Sequence, residues 1–154
     1  MLPRSGVYAI RALLELALDP PRWRSVNDLA AAQSLPAPML EQLLLKLRRA
    51  GVVEARRGRQ GGYRLARPAA AIPLVTLLQA VQALPIESPP AAHGEGSSGD
   101  DPGQEPGDLV TLALQRRLQR AIQRELGHLT LEELLFDLRS TRAAQSEEGG
   151  LLLG

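Results

Sequence analysis

Two short stretches carry the side chains best suited to recognition chemistry. Leu40-Glu41-Gln42-Leu43, with Lys46 close behind, sets a carboxylate, an amide and an ammonium along a leucine-rich segment. A glutamine amide can pair bidentately with adenine, and a glutamate can accept from the amino group of cytosine. Arg56-Arg57-Gly58-Arg59-Gln60-Gly61-Gly62 mixes three arginines with three glycines. Guanidinium groups on a tight glycine turn suit phosphates or an entry into the minor groove. No nucleophile in the chain stands beside a base. His93 and His128 lie far apart in the sequence, at neither metal-pair nor triad spacing, and there is no cysteine to supply a thiolate. No enzymatic activity, cofactor or metal is expected.

The elements that must position these residues run from Ser25 to Arg67. Ser25 and Asp28 form a capping pair for a first helix whose small apolar face is Leu29, Ala30 and Ala32. Ser34-Leu35-Pro36 ends it, and Pro38 suits the first turn of the next helix, where a missing N–H costs nothing. Leu40, Leu43, Leu44 and Leu47 recur at helical spacing, and Gly51 stands where a left-handed cap is wanted. The period then changes: Val52–Arg56 and Tyr63–Leu65 read as strands joined by the arginine-glycine loop. The predicted fold is mainly α with a small β-hairpin wing, a winged helix-turn-helix. Its second helix turns Pro38, Met39, Glu41, Gln42 and Lys46 outward, away from the leucines. The wing contributes Arg56, Arg57, Arg59, Gly61 and Gly62 as candidates for DNA contact. Plain solvation of Glu41 and Gln42 is the competing reading.

The formal net charge is only +1, but its distribution is uneven. Residues 1–68 hold 12 of the 18 basic residues and 5 of the 17 acidic ones, a net of +7, leaving −6 on the remainder. A basic first half is the footprint of a module that meets nucleic acid. Hydrophobic content of 44% with 3% aromatics describes a leucine- and alanine-rich helical chain. No apolar run reaches the roughly 18 residues of a membrane span, and Arg11 and Glu15 interrupt any signal-peptide pattern. A cytoplasmic, nucleoid-associated protein is expected.

Around this unit, Ser5–Leu18 reads as an amphipathic helix with Val7, Ile10, Leu13, Leu14 and Ala17 inward. Trp23 is expected to cover an edge of the core. Leu74–Gln82 reads as another short helix, completing a DNA-binding domain over residues 1–84. Residues 85–107 read as a flexible acidic loop. Its role stays open between recruiting a basic partner, competing with DNA for the wing, and simply spanning a distance. Over residues 108–139, Asp108 is expected to cap a helix of about Leu109–Leu126, stopped by Gly127. Its apolar seam is Val110, Leu114, Leu118, Ala121, Ile122 and Leu126. Such a seam needs a partner, either this chain's own domain or a second copy. Thr130 with Glu133 forms a capping box for a last helix carrying Leu131, Leu134, Leu135, Phe136 and Leu138. Residues 140–154 read as a disordered tail.

The chain resembles the Rrf2 type of bacterial transcription regulator. The resemblance is carried by Tyr8-Ala9-Ile10-Arg11-Ala12-Leu13, by Leu40-Glu41-Gln42-Leu43 with Lys46-Leu47-Arg48, by Gly61-Gly62-Tyr63-Arg64-Leu65-Ala66 and by Leu129-Thr130-Leu131. It implies that Glu41 and Gln42 occupy the place where the family meets base edges, and that the long helix pairs with its counterpart in a homodimer. Double-stranded DNA is the implied partner, and an imperfect palindrome the implied operator. The family's usual serine is Pro38 here, and its frequent proline-glycine wing tip is Arg59-Gln60. Its basic residue before the tyrosine is replaced by Val7, with Arg4 able to reach the same phosphate. Many members hold an iron–sulfur cluster through three cysteines in the region of residues 87–112. This chain has none, so it resembles members that regulate without a cluster, some through a regulatory protein partner. The alternative function is a winged-helix interaction adaptor that has lost operator binding.

Overall fold

A computed structural model describes residues 2–84 and 105–151. Helix α1 spans Arg4–Leu18, α2 Val26–Gln33 and α3 Ala37–Arg49. Strands β1 (Val53–Arg56) and β2 (Gly62–Leu65) follow, then a 3-10 turn over Ala69–Ala71 and α4 (Leu74–Ala80). Helices α5 (Pro106–His128) and α6 (Leu131–Leu151) complete the described chain. No helix among the described residues is long and apolar enough to cross a membrane. Most of the acidic loop, residues 85–104, and with it His93, lies outside the described residues.

Local chemistry accounts for the helix-turn-helix. The Ser25 hydroxyl accepts from the Asp28 amide at 3.1 Å, capping α2 as its sequence requires. Ser34 takes a left-handed conformation, φ 52°, and the Leu35 amide reaches back to the Ala30 carbonyl at 2.9 Å. That pairing closes α2, and Leu35 is buried beneath the turn. Leu40, Leu43, Leu44 and Leu47 all face inward from α3, and Gly51 at φ 75° ends it. The hairpin pairs Val53 with Leu65, Glu54 with Arg64, Ala55 with Tyr63 and Arg56 with Gly62.

Helix α1 is the hub, packing on α2, α3, α4, α6 and β2. Its buried face is Gly6, Ala9, Ala12, Leu13, Leu16 and Ala17, which corrects the expected one: Val7 is exposed, and Ile10 and Leu14 are half-buried. The small side chains of Ala9 and Ala12 let neighbouring elements approach closely, so packing selects the alanine side over the bulkier one.

The last third departs furthest from expectation. Helix α5 begins at Pro106, with Glu105 in the capping position, so Asp108 sits inside the first turn rather than before it. Proline is compatible with that first turn, and the Asp108 carboxylate favours the helix dipole from within it. Gly127 does not stop the helix. Leu129 does, turning extended so that its carbonyl accepts from the Leu74 amide at 2.8 Å while Thr130 bridges to Pro73.

Leu131 and Leu135 of α6 then join the same core as α1–α4, so residues 1–84 do not close their core alone. Phe136, one position on, is exposed. Helix α6 also continues through Leu151, where a disordered tail from residue 140 is the expectation. Ala143, Ala144, Gln145, Glu147 and Glu148 are good helix formers, which sustains the helix without burial.

Candidate nucleic-acid interface

On α3, Pro38, Glu41 and Gln42 are exposed on the side away from the buried leucines. Helix α3 is held by α1, α2, α4 and β1, so its outer side chains stand on a fixed base. Two residues of the expected face also have partners within the chain. Met39 is half-buried and packs against the core, and Lys46 donates to the Gln82 side chain at 3.1 Å, tying α3 to the end of α4. Helical rotation explains both: seven positions apart, they lie on the same shoulder of the apolar stripe. Arg48 and Arg49, which sequence reasoning did not single out as contacts, are exposed in the last turn of α3. Arg4 is exposed at the start of α1.

The wing separates its arginines by role. Arg57 and Arg59 are exposed and make no ion pair among the described residues. Arg56 instead donates to the Gln60 carbonyl at 2.6 Å and lies over Trp23. Gly61 and Gly62 serve close approach. A Cβ on Gly61 would fall well inside 3.0 Å of the Arg56 carbonyl. A Cβ on Gly62, where φ is 133°, would strike the Arg24 carbonyl as closely. The reason is a backbone bridge: the Arg24 amide donates to Tyr63 at 2.9 Å, and the Tyr63 amide donates back at 2.7 Å. The connector before α2 is thus pinned to the wing by a single β-bridge. Trp23 does not cover a core edge; it faces the guanidinium groups of Arg56 and Arg64.

A polar network unseen in the sequence locks this frame. Arg24 bonds Glu15 at 3.1 Å, with both side chains largely buried. The Gln33 amide donates to the other Glu15 oxygen at 2.7 Å. Arg11 donates to the Gln33 side chain at 3.1 Å and also to its backbone carbonyl. Arg11 and Glu15, one helical turn apart on α1, thereby join α1, the end of α2 and the wing connector. The i,i+4 spacing of a base and an acid was the available signal, but their partners come from elsewhere in the chain.

The proposed pairing seam lies mostly bare. Among the described residues no side chain of α5 is buried, and Val110, Leu114, Leu118 and Ile122 are 50–69% exposed. Leu126, nearer the C-terminal end, is half-buried against the core. Ala121, Ile122 and Leu126 line an apolar groove of about 570 Å³ with Leu2, Ile10 and Leu74.

Comparison with known proteins gives the arrangement a family. The family model of Rrf2, described as an iron-dependent transcriptional regulator, matches residues 2–137. The Synechocystis protein slr0846, named for the helix-turn-helix regulators, is 41% identical over 141 residues, 91% of this chain and 90% of that one. The regulator IscR of Vibrio parahaemolyticus is 33% identical over 151 residues, 97% of this chain and 86% of its own. Among solved structures, T. potens IscR superposes with a TM-score of 0.65 at 29% identity, covering 90% of this chain and 88% of that one. CymR, the global cysteine regulator of B. subtilis, gives 0.64 at 27%, covering 88% and 95%. Iron held through thiolates does not fit this chain, which has no cysteine. Among the described residues no three His, Asp or Glu side chains gather as a metal site either. On fold, motifs and matched length together, the chain belongs to the Rrf2 family of transcriptional regulators.

Proposed function

We propose that the protein is a sequence-specific repressor that binds an imperfect palindrome as a homodimer, without an iron–sulfur cluster. The observation that carries this reading is the exposed Glu41-Gln42 pair on a helix anchored by four buried leucines. Anchoring matters because base discrimination needs donors and acceptors held in register with the groove edge. Gln42 would read an adenine, and Glu41 a cytosine. Arg57 and Arg59 would meet phosphates or the minor groove beside them, while Arg4, Arg48 and Arg49 add positive charge to the same module.

Homodimerisation is supported by the bare seam of α5. A helix with four large aliphatic side chains half or more exposed is stabilised by a second apolar face. Two copies related by a two-fold axis would present paired reading helices to half-sites about one DNA turn apart. Occupying a promoter in this way excludes other proteins from it, which is the simplest route to repression. A regulatory protein partner could then act on the dimer in place of a cluster, and the site of action would be the nucleoid.

Selection from a random DNA pool tests the reading. Enrichment of one palindrome, bound by a dimer of the full chain, is the expected result. A protein that stays folded and dimeric but enriches nothing is an adaptor instead.

A further inference from the structure

Trp23 is the chain's single tryptophan, half-buried in the connector between α1 and α2. The guanidinium carbons of Arg56 and Arg64 lie 4.6 and 4.3 Å from its ring centroid. Arg64 is at the same time paired with Glu54, its neighbour across the hairpin. Arg56 closes β1, and its Nη2 donates to the Gln60 carbonyl at 2.6 Å. The indole face attracts a guanidinium electrostatically, so the ring holds Arg56 in place. Arg56 in turn holds Gln60, next to Arg59 in the turn. Arg24, the residue after Trp23, is engaged with Tyr63 and Glu15.

We propose that Trp23 is a positioning residue for DNA binding: its ring clamps Arg56, and through Gln60 fixes the wing tip that presents Arg57 and Arg59. This rests on the DNA-binding reading above. A clamped tip meets the duplex without being ordered at that moment, whereas a loose one loses that conformational freedom on binding. Arg56 therefore serves DNA through the shape of the turn rather than as a further phosphate contact. It is the wing arginine whose removal should mimic removal of the ring.

The test is a double-mutant cycle on affinity for the selected operator, using full-length W23L, R56A and their combination, with W23F as the conservative variant. W23L and R56A should each weaken binding by roughly fivefold, the scale of one such contact at a partly exposed site. The double variant should lose no more than either single one, and W23F should restore binding. In the free protein, R56A should also shift the fluorescence emission of Trp23. If W23L fails to fold, R56A decides through its salt slope: it alters an exposed side chain, and weaker binding with a wild-type slope marks positioning, whereas a slope lowered by about 0.9 marks a lost phosphate contact and overturns the proposal. An R56A protein with wild-type affinity or unchanged emission overturns the proposal, as does an additive cycle. Wild-type protein that binds no DNA overturns the parent reading as well, whereas an operator bound equally by W23L and wild type overturns this inference alone.

Discussion

Among the described glycines at a positive φ, Gly62 is the one whose change to alanine should damage the protein most, for a reason that can be isolated. Gly62 sits at φ 133° with the Arg24 carbonyl so close that an added Cβ would fall well inside 3.0 Å of it. Gly51 sits at φ 75° with nothing within 4 Å of the same hypothetical atom. Alanine at Gly51 therefore bears only the left-handed backbone penalty, about 1–2 kcal/mol. At Gly62 the backbone penalty, about 1–3 kcal/mol, is joined by overpacking against a carbonyl that is itself bonded to Tyr63, a further ~1–3 kcal/mol. The expected loss is thus about 4 kcal/mol, against roughly 1.5 at Gly51.

For a chain of this length, each kcal/mol moves the melting temperature by about 2–4 °C, so Gly62→Ala should melt about 10 °C below wild type and Gly51→Ala about 4 °C below. Thermal melts followed by far-UV circular dichroism, with urea titrations to confirm an unchanged slope, measure both. Equal losses in the two variants would refute the close approach of the connector to the wing. A Gly62→Ala protein that keeps its stability but loses DNA affinity would mean that the connector peels away to relieve the clash.

Four further outcomes are expected. Arg59→Ala should weaken operator binding by a few-fold to tenfold and lower the salt slope by about 0.9 log unit, the value of one phosphate contact; gel-shift titrations at several salt concentrations read both. Gln42→Ala should relax preference at one base position by about 1–3 kcal/mol while leaving non-specific binding intact, which competition between operator variants measures. Leu118→Glu, on an exposed position of α5, should leave the winged module folded and convert a dimer to a monomer in sedimentation equilibrium; a persisting dimer would remove α5 from the interface. Glu15→Ala strands the largely buried Arg24 guanidinium and the Gln33 amide, and should cost about 2–3 kcal/mol in urea denaturation.

The parts legible in the sequence are those whose signal is local. The leucines of α3 repeat on one face of an otherwise polar helix, Ser25 and Asp28 cap at fixed spacing, and the switch to strand follows a glycine. Helix α1 is apolar on most sides, so periodicity cannot choose between the face of Val7 and Ile10 and that of Ala9 and Ala12; the crowd of neighbours decides. The β-bridge of Arg24 to Tyr63 on the wing joins residues far apart in the chain and leaves no local trace. Nor does the chain from Arg11 through Gln33 and Glu15 to Arg24, since each side chain alone reads as a solvated charge. On α3 the shoulder positions Met39 and Lys46 read as outward because a helical wheel shows direction but not the neighbour waiting there.

The short bridge where Leu129 meets Leu74 gives α5 its root. Helix α4 packs against α5 along one flank and against α3 along the other, and Gln82, just past the end of α4, accepts from Lys46. The bare stretch around Val110 and Leu114 is consequently the free arm of a lever whose fulcrum lies a single helix away from Glu41 and Gln42. Only α4 stands between that arm and the helix of Glu41 and Gln42, so a partner seated at the arm's tip would be one packed element away from the residues that would touch bases.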